Sequence, residues 1–172
     1  MGTLLVDGFP INYIPFTIYE NSATDPVYPP PDDGDLYYNT TLKMLMSYDD
    51  VRSKWLSIES FTFYVGGLGT VPTGEYYQGV DGRTFSAADG HPAPHNGTVV
   101  EFGYTRTDTD VADFEVTADG VTVETINSSA VGGTDTTLDG DVDAGEVLAV
   151  RNKAGGNITS NVQAWTTLKW RA

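Results

Sequence analysis

From Thr98 onward, short runs with apolar residues at every second position are cut by turn-forming residues at intervals of roughly ten, a rhythm that suits antiparallel strands and no helical body. The runs are Thr98–Thr105, Asp113–Thr117, Val121–Ile126, Thr136–Leu138, Glu146–Arg151 and Gln163–Lys169. Strict alternation places Val100, Phe102 and Tyr104 on one face, Phe114 and Val116 on another, and Leu148 and Val150 opposite Val147, Ala149 and Arg151. Asp119-Gly120 supplies the positive φ of a tight hairpin, and Asp143-Ala144-Gly145 and Ala154-Gly155-Gly156-Asn157 mark further reversals. The expectation is an all-β protein whose residues 98–172 form an antiparallel β-sandwich of jelly-roll type. There are neither heptads nor collagen triplets, so any self-association must use packed β surfaces.

Three segments precede that domain. Residues 1–33 hold six of the nine prolines, which exclude regular helix and disfavour long strands, and predict an extended arm. Phe9, Ile11, Tyr13, Ile14, Phe16, Ile18 and Tyr19 make it too apolar for a free linker. It should therefore lie on a neighbouring subunit or a larger particle, or along its own domain. Residues 34–60 read as a small meander: Leu36-Tyr37-Tyr38, a turn at Asn39-Thr40-Thr41, Met44-Leu45-Met46, and a third strand ending on Trp55-Leu56. A sheet this short needs cover for its apolar face, and copies around a symmetry axis would provide it. Leu36, Tyr38, Leu45, Trp55 and Leu56 are accordingly expected at an oligomer interface. Residues 61–97 read as glycine-rich connecting loops, with Thr62-Phe63-Tyr64-Val65 as one candidate strand.

Nine Lys and Arg against 24 Asp and Glu give the 172-residue chain a net charge of −15, which would repel nucleic-acid backbones and anionic membranes. Neither is expected as a partner. No cationic side chain occurs between Thr107 and Val150, where eleven acidic residues fall. With no cysteine, disulfides and thiolate metal sites are ruled out. Neither an apolar run of spanning length nor a basic leader followed by an apolar stretch is present.

Few constellations carry chemistry. Asp139, Asp141 and Asp143 alternate as in a calcium loop, but Ala144 and Val150 stand where that loop needs glycine and a bidentate glutamate, so the residues read either as a solvated turn or as a calcium site. His91 and His95 flank Pro92-Ala93-Pro94 and read as loop histidines or a two-histidine zinc or nickel clamp. No serine sits in a Gly-x-Ser-x-Gly elbow and no phosphate or dinucleotide loop appears, so the expectation is a non-enzymatic protein without a cofactor. Tyr76-Tyr77, Trp165, Trp170 and Tyr37-Tyr38 could stack on sugars or pack internally, and Tyr76 and Tyr77 are the candidate contacts for a glycan. The sequons at Asn39, Asn96, Asn127 and Asn157 read as turn residues.

Gly34-Asp35-Leu36-Tyr37-Tyr38-Asn39-Thr40-Thr41, followed by Leu45-Met46, Tyr48-Asp49 and Lys54-Trp55-Leu56, resembles a segment of tail-fibre and head-fibre proteins of tailed bacterial and archaeal viruses. Gly97–Glu101, Tyr104–Asp110, Ala112–Val116, Asp135–Leu138, Ala144–Asn152 and Leu168–Arg171 resemble a β-sandwich head module of fibre and decoration proteins of the same particles. The resemblance implies a homotrimeric component of the virion surface that docks on other virion proteins by its arm and displays the sandwich outward. No shaft is present, which favours a decoration protein or a short head or tail fibre over a long adhesin. A receptor-binding module at a fibre tip is the alternative.

Overall fold

A computed structural model describes residues 5–6, 9–10, 17–109, 112–128, 130–153, 157 and 159–171. The described residues hold no helix, and every pairing between named strands is antiparallel. In chain order the strands are β1 (Leu5–Val6), β2 (Phe9–Pro10), β3 (Leu36–Asn39), β4 (Met44–Asp49), β5 (Lys54–Ser57), β6 (Ser60–Val71), β7 (Gln78–Gly79) and β8 (His91–Pro92). They continue with β9 (Gly97–Thr105), β10 (Ala112–Ala118), β11 (Val121–Ser128), β12 (Gly132–Asp135), β13 (Gly140–Val142), β14 (Val147–Asn152) and β15 (Thr159–Trp170).

Two sheets share one core. The larger has the order β12-β9-β15-β6-β7, with β13 also paired to β9, and the smaller has the order β11-β10-β14-β8. The long strand β15 alternates cleanly: Val162, Ala164, Leu168 and Trp170 are buried, whereas Gln163 is exposed and Trp165, Thr167 and Lys169 are half-buried. Phe114 of the smaller sheet meets Phe102 and Tyr104 of the larger at ring separations of 5.3 and 4.9 Å, the centre of the apolar contact between the layers. Asp119 and Gly120 both adopt positive φ, 48° and 79°, and close the β10–β11 hairpin as their chemistry dictates.

Three expectations are corrected. A β-bulge in β9, opposite Thr167 and Leu168, breaks the alternation, so that Val99 rather than Val100 joins Phe102 and Tyr104 in the core. Thr136–Leu138 is not a strand; it links β12 to β13, although Leu138 is buried. Residues 61–97 are not merely connecting loops, since β6 runs for 12 residues beside β15 in the larger sheet. The excursion after β6 ties the two sheets at one margin. Tyr77 N–H donates to the Val150 carbonyl of β14, while Gln78 and Gly79 pair with β6, and Tyr77 and Phe85 enter the core.

The meander forms as read, β3-β4-β5, but the arm belongs to it. Ile18 and Ser22 bridge Leu36 and Asn39 in parallel, with backbone bonds from Tyr19 N–H to Leu36 O and from Leu36 N–H to Thr17 O. Residues 17–22 thus extend the small sheet at its β3 edge, covering polar groups that an edge strand would expose.

Candidate docking face

The inner face of the meander is built from Tyr37, Met46 and Trp55, with Tyr19, Met44 and Tyr48 packed against them. Rings of Tyr19, Tyr37 and Tyr48 meet Trp55 edge-on at 5.5, 4.9 and 5.3 Å. The proline-rich arm closes over this group. Trp55 Nε1–H donates to the Pro26 carbonyl at 3.0 Å, Tyr19 O–H to the Pro29 carbonyl at 2.7 Å, and Tyr37 O–H to Asp25 Oδ1 at 2.5 Å. Aromatic rings whose N–H and O–H groups donate to carbonyl and carboxylate oxygens of a proline-rich segment hold that segment by packing and hydrogen bonding together. Asp35 ties the two ends of the segment together, accepting from the backbone N–H groups of Thr17 and Asp32.

The cover expected from other copies is therefore supplied internally. Trp55 and Leu56 are 4% and 1% exposed, so they are not free for an oligomer interface. Tyr19, assigned to particle docking, is half-buried against Trp55. Phe9 lies in β2, and Ile11, Tyr13, Ile14 and Phe16 lie outside the described residues.

The opposite face, on which the register also places the buried Leu56, is only partly covered. The β3–β4–β5 register places Tyr38 beside Leu45, and Ile58 N–H donates to the Leu45 carbonyl, so Tyr38, Leu45 and Ile58 form one row across the sheet. They are 37%, 42% and 51% exposed, and Ile18, paired with the half-buried Leu36, is 72% exposed. Four large apolar side chains standing on one sheet face make a patch of the kind that marks an interaction surface.

Cations lock the meander to the two-sheet body. Arg52 Nη1 pairs with Asp49 at 2.5 Å, while Nε and Nη2 donate to the carbonyls of Leu138 (2.7 Å), Thr136 (2.5 Å) and Val100 (3.1 Å). Lys54 Nζ sits between Asp139 and Asp141 at 2.8 and 2.7 Å, and within the body itself Arg171 reaches Asp143 at 3.1 Å. Arg52, Lys54 and Arg171 are three of only nine Lys and Arg in the chain. Burial opposes ionisation of Asp141, yet hydrogen bonds from Lys54 and Thr98 hold its carboxyl below the ordinary range. The three aspartates read as a candidate calcium loop are thus bound by the chain's own ammonium and guanidinium groups, and among the described residues no group of three or more carboxylates or imidazoles is arranged to hold a metal. A groove of about 450 Å³ opens at this junction between the prolines of the arm, Tyr48, Trp55, Lys54 and Arg171.

Elsewhere, Tyr77 is fully buried with its hydroxyl 2.7 Å from Thr159 Oγ1, and Tyr76 is half-buried with its ring 5.8 Å from the Arg151 guanidinium carbon. Tyr77 is a core residue and offers no stacking surface. His95 packs edge-on against Trp170, whereas His91 lies among Phe61, Phe63 and Phe85, so the two rings serve separate packing environments.

His91 Nε2 is buried without a hydrogen-bond partner among the described residues, and burial pushes the imidazole below its ordinary value of 6.5; Asp81 and Arg83 act on it in opposite directions. The unfolded chain therefore binds this proton more readily than the folded one. The contribution is fully present above pH 6.5 and is lost as the pH falls through 6.5 toward the folded-state value. Chemical denaturation between pH 7.5 and 5.5 should show this loss, and His91→Phe should flatten it; an unchanged slope in the variant would assign it elsewhere.

Sequence reasoning missed Arg52 and Lys54. The usable signal was scarcity: two cations close together in a chain with only nine, against an acidic stretch from Thr107 to Val150 that has none.

No protein-family profile matches this chain, and no curated protein matches it. Among solved structures it is similar to one titled "Crystal Structure of FLHE", at 12% identity and a TM-score of 0.34, over 66% of this chain and 98% of that one. A likeness of that size carries no functional argument.

Proposed function

We propose that the chain is a non-enzymatic structural protein of a virus particle, docked through its N-terminal arm and displaying a compact oligomer, a homotrimer, as a decoration or short head or tail fibre. The carrying observation is the exposed apolar row Tyr38, Leu45 and Ile58 with Ile18 beside it, on a meander whose other face the chain already covers. Copies meeting through this face would remove it from water at roughly 25 cal/mol per Å² of apolar surface. The resemblance of residues 34–58 to fibre proteins of tailed viruses supports the same reading. The jelly-roll connectivity of the two sheets belongs to this proposal as well.

The division of labour is specific. Residues 17–33 brace the meander, leaving residues 1–16 as the attachment segment. Particles assembled with a chain lacking residues 1–16 should not retain it, while the truncated chain keeps the far-ultraviolet spectrum and melting temperature of the intact one. Retention at the normal copy number would remove the docking role.

A further inference from the structure

The outward face of the larger sheet carries an ordered aromatic pair that the packing of the body does not use. Tyr64 of β6 and Trp165 of β15 are direct cross-strand neighbours, and Gly103 of β9 is the next residue in the same row. Trp165 lies across Gly103, where an added Cβ would come within 2.0–2.5 Å of three indole atoms, so only glycine lets the indole rest on the strand. Its Nε1–H donates to Glu101 Oε1 at 3.0 Å, which fixes the rotation of the ring. Tyr64 is 57% exposed and Trp165 half-buried.

Polar rows flank the pair on both sides. Thr62, Thr167 and Glu101 form one, with the two hydroxyls 2.9 Å apart; Gly66, Gln163 and Thr105 form the other. Beside the second row runs a groove of about 250 Å³ lined by Tyr64, Gly66, Gln163, Gln78 and Val80. Aromatic surface bordered by hydroxyl, amide and carboxylate groups matches the two characters of a sugar ring, an apolar C–H face and a rim of hydroxyls.

The geometry points to a binding site for a neutral oligosaccharide on the Tyr64–Trp165 face. Charge selects the class: Glu101 and Lys169 are the charged residues among the outward positions of β6, β9 and β15, so a balanced face sits on a chain of net charge −15 that repels anionic glycans. Polar groups on both flanks argue against a second copy as occupant, since a close apolar contact would strip Thr62, Gln163 and Thr105 of water without supplying partners. The site is separate from Tyr38, Leu45 and Ile58, and it stands whether or not the chain belongs to a virion.

The test is retention of the full-length protein on an array of neutral and acidic glycans, followed by titration of the best neutral hit while the indole N–H resonances of Trp55, Trp165 and Trp170 are recorded. The Trp165 resonance should move while that of Trp55, bonded to Pro26, stays fixed. Tyr64→Ala, at an exposed position, should weaken binding about tenfold with the fold intact, and Trp165→Phe should weaken it without abolishing it. Absence of retention on any glycan, retention of acidic glycans alone, or affinity unchanged by Tyr64→Ala would each overturn the site. So would a fall in oligomeric mass on Tyr64→Ala without sugar binding, which would assign the face to a second copy.

Discussion

Trp55→Ala is expected to loosen the meander by about 3–5 kcal/mol, because it removes the ring that Tyr19, Tyr37 and Tyr48 all meet and the N–H that holds the Pro26 carbonyl. The loss should be local. Segment 17–33 has Trp55 and Tyr37 as its aromatic seat, so it should become open to proteases and its amides should exchange, while the two-sheet core around Phe114 stays protected. Trp55→Phe keeps a ring in place and gives up only the hydrogen bond, so its cost should be nearer 1 kcal/mol. Limited proteolysis with mass mapping reads both variants. Equal cleavage of wild type and Trp55→Ala within residues 17–33 would mean that the arm is not held as described.

Arg52→Ala should cost about 2–4 kcal/mol, since one guanidinium serves Asp49 and three carbonyls across the joint between meander and body. Leu138, whose carbonyl accepts from Nε, is itself buried, and removing the donor leaves that acceptor short of a partner. The expected melt shows an early step for the meander before the main transition. Arg52→Lys keeps the charge but loses the planar fork that reaches several acceptors at once, so it should recover less than half of the loss. Full recovery by lysine would show that charge alone, through Asp49, makes the joint.

The strands after residue 97 were legible because their pattern and punctuation agree: Asp119-Gly120 turns where an Asp-Gly pair should, and Leu148 and Val150 face inward as alternation requires. The bulge in β9 was not legible, since it is fixed by register against β15, and pattern alone assigned Val100 to the core in place of Val99. Glycine misled in β6. Gly66 and Gly67 fall in the stretch read as connecting loops, yet a Cβ at Gly67 would lie 2.5 Å from Val71 Cγ2 and 3.3 Å from Tyr77, so this glycine marks close approach within a strand. The arm shows the same limit: its apolar character was visible, whereas its place depended on Trp55 and Tyr19 donors meeting carbonyls 29 and 10 residues away in the chain, a pairing that composition cannot express. Trp55 was assigned to an oligomer interface because the apolar face of a short sheet needs cover, and that cover was already in the preceding segment. Gly103 explains why Trp165 was only one aromatic among several in the sequence: its platform exists through a cross-strand neighbour.

With the inner face closed by the chain itself, the outer face of Tyr38, Leu45, Ile58 and Ile18 carries the account of self-association. Sedimentation of the full chain at micromolar concentration measures it most directly. The account predicts a species of three times the 18.5 kDa chain mass, converted to a folded monomer by Leu45→Lys with Ile58→Lys. A wild-type chain that sediments as a monomer with that face exposed, or a lysine variant that keeps the oligomer, would contradict it.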